Sequence, residues 1–444
     1  MELTKGPIVK TILNLAIPIM ASAFLATLYN ICDMAWVGTL GAKTVAGVGV
    51  GGMYMWLANG FATLPRMGGQ VLTAQSLGAG EEEKAKNYTR VAIHLIFLFG
   101  LIFGGISFVF TKQLVAFFHL NDELAIHVAY RYMRITCGLI IFSFLNFTLT
   151  GLYTADGDSK TPMVANFLGL VLNMILDPLL ILGLGPFPRM EAVGAAVATV
   201  FSQLLVSIIL CVRMNSRKTK AKVFQNQNFF RPCHSEEYKR IIEIGTPASI
   251  QSMVYCFISM ILTRFISNFG PEAFAVSRVG GQIESISWNT ADGFSAAINS
   301  FCGQNYGAKE YDRIRKGYRF ALLTSFAWGL LVFLAFLFLP RPISSVFFHE
   351  EKAIAFSVAY LIIIGLSEPF MMAEIVTSGA LCGLGQTKLS SIISVTLTAI
   401  RIPIAFLLMR TPLGLNGIWW AYTISSVMKG IVFTLTFQAK TKDQ

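Results

Sequence analysis

Apolar runs of about 20 residues recur along the whole chain, separated by short stretches rich in Gly, Pro, Lys and Glu. Runs of that length cross ~30 Å of hydrocarbon as helices. A membrane barrel would instead show segments of ~10 residues alternating apolar and polar positions, and no such alternation is present. The pattern predicts twelve spans, near 11–35, 46–66, 87–110, 125–153, 162–184, 192–213, 239–266, 278–300, 317–339, 353–381, 388–409 and 414–438. The expected fold class is therefore an all-α polytopic membrane protein.

The chain also repeats itself. At a shift of 229, Pro18, Gly41, Gly51, Gly52, Gln75, Gly78, Ala79, Lys84 and Lys86 fall on Pro247, Gly270, Gly280, Gly281, Gln304, Gly307, Ala308, Arg313 and Arg315. Gly151, Gly157 and Lys160 match Gly379, Gly385 and Lys388 at 228, and Gly194, Ala198 and Ser202 match Gly417, Ala421 and Ser425 at 223. Six spans per half make parallel repeats, related by an axis along the membrane normal and enclosing the substrate between them. This organisation predicts an N-lobe over 1–214, a linker over 215–237 and a C-lobe over 238–444. The glycines after Gln75 and Gln304 are expected to break the second and eighth spans, with the charged residues beyond starting a short surface helix. This is read as a structural turn without chemistry.

Composition supports the membrane reading. Hydrophobic residues make up 54% of the 444, and charged residues only 13%, against about 25% in soluble domains. The net charge of +11 does not indicate a nucleic-acid partner, because Lys and Arg gather in loops on one side: Lys5, Lys10, Lys84, Lys86, Lys160, Arg217, Lys218, Lys220, Lys222, Arg313, Lys388 and Lys440. The positive-inside rule then puts both termini in the cytoplasm, and the basic linker can lie against anionic lipid headgroups. Ile12 to Ala35 is too long for a cleavable signal and reads as a retained span. The seven cysteines contain no CxxC pair, so neither a disulfide framework nor a zinc site is expected. Of His94, His119, His127, His234 and His349, only His94 falls well inside a span. It suits an interhelical hydrogen bond better than a proton relay. Arg264, Arg278 and Arg66, the last at the end of span 2, read as snorkelling to the interface.

Ionisable residues in spans cost ~2.5–3.5 kcal/mol and are functional candidates by default. Asp33 lies toward the outer end of span 1, with Tyr29 one turn before it and Asn30 beside that face. It reads either as a functional carboxylate or as a hydrated residue at the extracellular mouth. Asn173 and Asp177, four apart, share one face of span 5, just before Pro178. With Thr199 of span 6 they make a hard-oxygen set suited to Na⁺ or a shared proton. The alternative is a polar clamp between helices. The C-half holds Glu284, Asp292, Glu368, Glu374, Arg401 and Lys429. Either Glu284 or Asp292 could meet a cation of a bound drug or Arg401, and buried ion pairs are an equal alternative. Arg401 aligns with Asn173, so the halves have diverged there.

Several motifs resemble the multidrug and toxic compound extrusion (MATE) family across essentially the whole chain. They are the Gln-x-x-Gly-Ala loops, the span 1 pattern Pro18…Tyr29-Asn30-x-x-Asp33…Gly38, Gly157-Asp-x-Lys160-Thr-Pro162, Asn173-x-x-x-Asp177-Pro178 and Gly194-Ala-Ala-x-Ala-Thr199. Carboxylates in spans 1 and 5 resemble the DinF-like branch. The NorM-like positions in spans 7 and 10 correspond to Tyr255 and Met371. The resemblance implies two pseudo-symmetric six-helix bundles around a V-shaped central cleft, in a monomer of a prokaryotic cytoplasmic membrane. It implies a transporter, not an enzyme, that exports small amphipathic, often cationic drugs in exchange for H⁺ or Na⁺, with no other cofactor. It implies coupling at Asp33, Asn173, Asp177, Thr199 and Tyr29, with the oxygens of Asp33, Asn173, Asp177 and Thr199 able to serve Na⁺. A hinge at Pro18 would bend span 1 and expel drug, with Asn30, Glu284, Asp292, Glu374 and Arg401 as cleft candidates. A lipid-linked oligosaccharide flippase of the same superfamily is the alternative. The sequence has no GxxxxGK[ST] loop for ATP-driven transport.

Overall fold

The computed structural model describes residues 2–118, 122–215, 221–225, 227–229 and 231–442. His119, Arg217, Lys218 and Lys220 lie outside them. The described residues are helical and contain no strand. They form two compact units, one of residues 1–2 and 17–249, the other of residues 3–16 and 250–444.

The first unit contains most of α1 (Ile8–Gly38), then α2 (Ala42–Gly78), α3 (Glu82–Val109), α4 (Thr111–Ala116), α5 (Glu123–Thr136), α6 (Ile141–Ala155), α7 (Lys160–Leu182) and α8 (Ala192–Asn215). The second contains most of α9 (Ser235–Ser267), then α10 (Pro271–Gly307), α11 (Tyr311–Phe338), α12 (Pro340–Phe347), α13 (Glu351–Gly365), α14 (Glu368–Gly383), α15 (Thr387–Ala399), α16 (Arg401–Leu408) and α17 (Leu415–Lys442). The unit boundaries fall inside α1 and α9, next to the repeat-related Pro18 and Pro247. Both helices run unbroken through their proline.

Each of the twelve expected spans maps onto a helix or a helix pair. Eight segments are long and apolar enough to cross a membrane, and ten if α5–α6 and α13–α14, each bent by 49°, count as single spans. The other two are α2 and α10, each of 37 residues. Both are more polar: α2 carries Arg66 and many glycines, and α10 carries Arg278, Glu284 and Asp292. Each packs against three helices, α2 against α3, α5 and α6, and α10 against α11, α13 and α14, while Arg278 and Asp292 remain exposed. Membrane helices with polar residues are tolerated in such positions.

Two expectations are corrected here. The segments after spans 2 and 8 are not short surface helices. The helices continue through Gln75 and Gln304 and end at Gly78 and Gly307, and the charged residues that follow form the first turns of α3 and α11. Arg66 consequently lies well inside α2, with its guanidinium 4.2 Å from the Phe147 ring centre, and does not snorkel from a helix end.

The duplication is visible in packing. Gly41 and Gly270 start α2 and α10 with φ of 97° and 104°, a region open to glycine at little cost. A Cβ on Gly51 would stand 2.6 Å from the Tyr132 ring, and its counterpart on Gly280 would clash with the Tyr360 ring. Tyr132 and Tyr360 are themselves related at a shift of 228. An aromatic ring laid on a glycine therefore joins α2 to α5 in one unit and α10 to α13 in the other.

The linker packs on the first unit where it is described. Val223 and Phe224 are buried, the Phe224 ring lies tilted against Tyr153 with centroids 4.6 Å apart, and the Val223 N–H donates to Asp156 Oδ1 at 3.3 Å. Burial pushes the Asp156 carboxyl, at the C-terminal cap of α6, up to about 7. His94 of α3 is hydrogen-bonded through both ring nitrogens, to Tyr238 Oη at 2.7 Å and to the Phe229 carbonyl at 2.6 Å, in keeping with a structural role. A carbonyl only accepts, so Nε2 carries a proton. All seven cysteines are free thiols.

Candidate functional site

In the first unit α1, α7 and α8 bring together the polar residues of spans 1, 5 and 6. Asp33 is 8% exposed, and its Oδ1 accepts no hydrogen bond. Asp177 is fully buried and lies within electrostatic reach of Asp33. The four-residue spacing on α7 lets Asn173 Nδ2 donate to Asp177 Oδ1 at 3.3 Å. That leaves Asn173 Oδ1 and Asp177 Oδ2 buried without a partner. Tyr29 of α1 and Thr199 of α8 share a hydrogen bond of 2.9 Å between their hydroxyls. Asn30 is exposed and takes no part in this cluster.

Three buried oxygens without donors are costly in a membrane interior, at several kcal/mol for a charged group. A bound proton or a small hard cation satisfies such a set. A purely structural clamp would be expected to close its own hydrogen bonds. The oxygens of Asp33, Asn173 and Asp177 have the chemistry for H⁺ or Na⁺, with the Thr199 hydroxyl engaged by Tyr29 at their edge.

Beside this cluster α1, α7 and α8 line a half-open cavity of about 170 Å³. Leu25, Leu170 and Val206 make its wall apolar, while Tyr29, Ser202 and Gln203 add polar groups. Tyr29 is thus shared by the cavity and the carboxylate cluster.

The second unit has nothing equivalent at the matching positions. Shifts of 229 and 228 carry Tyr29, Asp33, Asn173 and Asp177 to Ile258, Leu262, Arg401 and Ala405, and 223 carries Thr199 to Tyr422. Ile258, Leu262 and Ala405 are buried core residues. Arg401 donates to Ser425 Oγ and Ser426 Oγ, each at 3.0 Å, and lies 4.9 Å from the Tyr422 ring centre. The other charges sit elsewhere in this unit. Lys429 pairs with Glu374 at 2.6 Å, both buried. Glu284 accepts from Tyr360 Oη at 3.2 Å. Asp292 is exposed. No ion pair joins Arg401 to Glu284 or Asp292 among the described residues.

The MatE family profile matches residues 18–179 and 247–407, one stretch in each half. This chain belongs to the MATE family. It is similar to the Thermotoga maritima "Probable multidrug resistance protein NorM", with 28% identity over 96% of this chain and 92% of that one. It is similar to the Bacillus subtilis "Probable multidrug resistance protein YoeA", with 28% identity over 91% of this chain and 88% of that one. Its fold matches that of an outward-facing multidrug resistance MATE transporter of the MOP superfamily, with a TM-score of 0.92 and 24% identity over 100% of this chain and 98% of that one. As a MATE protein it is a multi-pass membrane transporter, not an enzyme.

One feature of this MATE protein escaped sequence reasoning, and a second was named without being set apart. Tyr132 of α5 is 5% exposed and within electrostatic reach of Asp33, Tyr29 and Asp177. Its match with Tyr360 in the repeat was the available signal. Glu368, at the start of α14, is 1% exposed with neither carboxylate oxygen in a well-formed hydrogen bond. Its charge alone did not distinguish it from its neighbours.

Proposed function

We propose that this MATE protein is an efflux antiporter that exports small amphipathic, often cationic compounds in exchange for H⁺ or Na⁺ by alternating access. The observation that carries the reading is the buried set Asp33–Asn173–Asp177, whose unpartnered oxygens adjoin a largely apolar cavity through Tyr29. In this reading the coupling ion binds the carboxylates and alters the packing of α1 against α7 and α8. Pro18, which has no N–H for the turn before it, is the point at which α1 yields. The cavity shares the wall residue Tyr29, so ion entry and drug release compete for one arrangement of α1.

Relatives named as multidrug resistance proteins support a drug-like substrate. The carboxylates on α1 and α7, with apolar residues at the C-half counterparts, support the DinF-like arrangement. The flippase reading finds no support in these relatives. We assign the protein to the cytoplasmic membrane as a monomer, with both termini inside and the basic loops near lipid headgroups.

Ethidium efflux from proteoliposomes under separately imposed pH and Na⁺ gradients tests the proposal. One gradient should drive transport, and Asp33→Asn and Asp177→Asn should each abolish the response. Wild-type rates in both variants would sink the coupling site, and no dye movement under either gradient would sink the efflux reading.

A further inference from the structure

Gln203 of α8 lines the cavity and is held in one orientation by neighbours that contact no cavity themselves. Asn146 Nδ2 lies 2.8 Å from the Gln203 backbone carbonyl and 2.8 Å from Gln203 Oε1. A backbone carbonyl can only accept, so the Asn146 atom facing it must be its NH₂. The same NH₂ then requires the Gln203 atom beside it to be the oxygen. The remaining Asn146 oxygen faces Ser207 Oγ at 2.8 Å, the shortest of three acceptors within reach of that hydroxyl. Both amide orientations thus follow from hydrogen-bond chemistry.

The consequence is at the other end of Gln203. Its oxygen is occupied, and no group among the described residues accepts from its Nε2. Gln203 lines the half-open cavity between α1, α7 and α8. The preceding residue, Ser202, also lines it, is 5% exposed, and has an Oγ with no hydrogen-bond partner. Two adjacent polar groups are therefore left unused beside Leu25, Leu170 and Val206. Gln203 is only partly buried, so Nε2 stays open at the cavity wall, where an acceptor on a ligand can take it.

We propose that Gln203 determines substrate selectivity by donating through Nε2 to a neutral oxygen acceptor, a carbonyl or ether, on the transported molecule, with Ser202 as its neighbour and Asn146 as the positioning residue. The cavity of about 170 Å³ is below the ~300–1,000 Å³ of whole-drug pockets. It takes one acceptor-bearing ring or side group of a larger amphipathic molecule. The inference rests on the efflux reading and adds to it the chemistry preferred at this wall.

The test uses the full-length protein in proteoliposomes and two cationic probes. Rhodamine 6G carries ester and ether oxygens, and tetraphenylphosphonium carries no hydrogen-bond acceptor. The readout is the ratio of their half-saturation concentrations. Loss of one neutral hydrogen bond, worth ~0.5–1.5 kcal/mol, corresponds to about a 2- to 12-fold change. Gln203→Met should raise the rhodamine-to-phosphonium ratio by that factor. Gln203→Leu, which removes the donor without adding charge, should do the same if the methionine variant folds poorly. Asn146→Leu should shift the ratio in the same direction by a smaller amount. A ratio unchanged in both Gln203 variants, or shifted against the phosphonium, overturns the assignment. If the wild type moves neither probe under either gradient, it is the efflux reading that fails.

Discussion

Removing either half of the Glu374–Lys429 pair should destabilise the protein, whereas removing both should not. The ammonium and carboxylate are 2.6 Å apart, with side chains 3% and 12% exposed. Breaking a buried pair typically costs ~3–5 kcal/mol, because the surviving charge is left without a partner in a low-dielectric interior. The orphan sheds part of that cost by neutralising, so the lower figure applies. In a unit of about 210 residues, ~3 kcal/mol corresponds to roughly 6–12 °C in Tm. Lys429→Met and Glu374→Met should each fall by that amount in detergent, followed by scanning fluorimetry. The double variant replaces two charges by side chains of similar volume and should return to within about 1 kcal/mol of the parent. The ion-driven dye transport of the double variant should persist, since the coupling oxygens lie in the other unit. A double variant as unstable as the sum of the two singles would refute the pairing argument. A double variant that folds but has lost all coupling would show that the pair has a transport role instead.

Three further outcomes follow from the same geometry. Asp156 is neutral when buried and charged when unfolded between about pH 4 and 7, so linker docking should weaken as pH rises through that window. The full effect is on the order of 4 kcal/mol for a carboxyl raised to about 7; hydrogen exchange at Val223 should show it, and Asp156→Asn should be flat over the same range. Arg313 donates to the Leu3 and Gly6 carbonyls at 3.2 and 3.0 Å and to Asn305 Oδ1 at 3.1 Å; Arg313→Ala should free residues 3–6, read as faster proteolysis there, and unchanged protection would contradict the anchoring. Gly51→Ala would place a Cβ 2.6 Å from Tyr132, and overpacking of that kind costs ~1–3 kcal/mol; Tyr132→Ala in the same chain should recover part of the loss, and additive losses would mean the two do not touch.

How much could be read from the chain depended on whether the information was local. Hydrophobic runs locate the spans because the membrane demands apolar side chains and internally bonded backbone over a fixed thickness. The duplication survives in glycines and prolines, because Gly41 and Gly270 need a backbone conformation and Gly51 and Gly280 need space that other residues lack. Asp33, Asn173 and Asp177 stood out because ionisable residues are rare in spans. The extent of α2 and α10 was misjudged, since Gly and polar residues look like a helix end until neighbouring helices are seen to pack against them.

What the amino-acid order determined by itself is the set of twelve helices, the twofold repeat and the unusual carboxylates, each written in a window of a few residues to one span. Only the tertiary structure decided which polar groups are satisfied. Glu374 became an ion-pair partner, Glu284 a hydrogen-bond acceptor for Tyr360, and Arg401 a donor to two serines, while Asp33, Asn173 and Asp177 kept unpartnered oxygens. The physical reason is that a buried polar atom has a meaning only relative to its partner. That partner often lies far along the chain, 170 residues away for Tyr29 and Thr199 and 310 for Arg313 and Leu3.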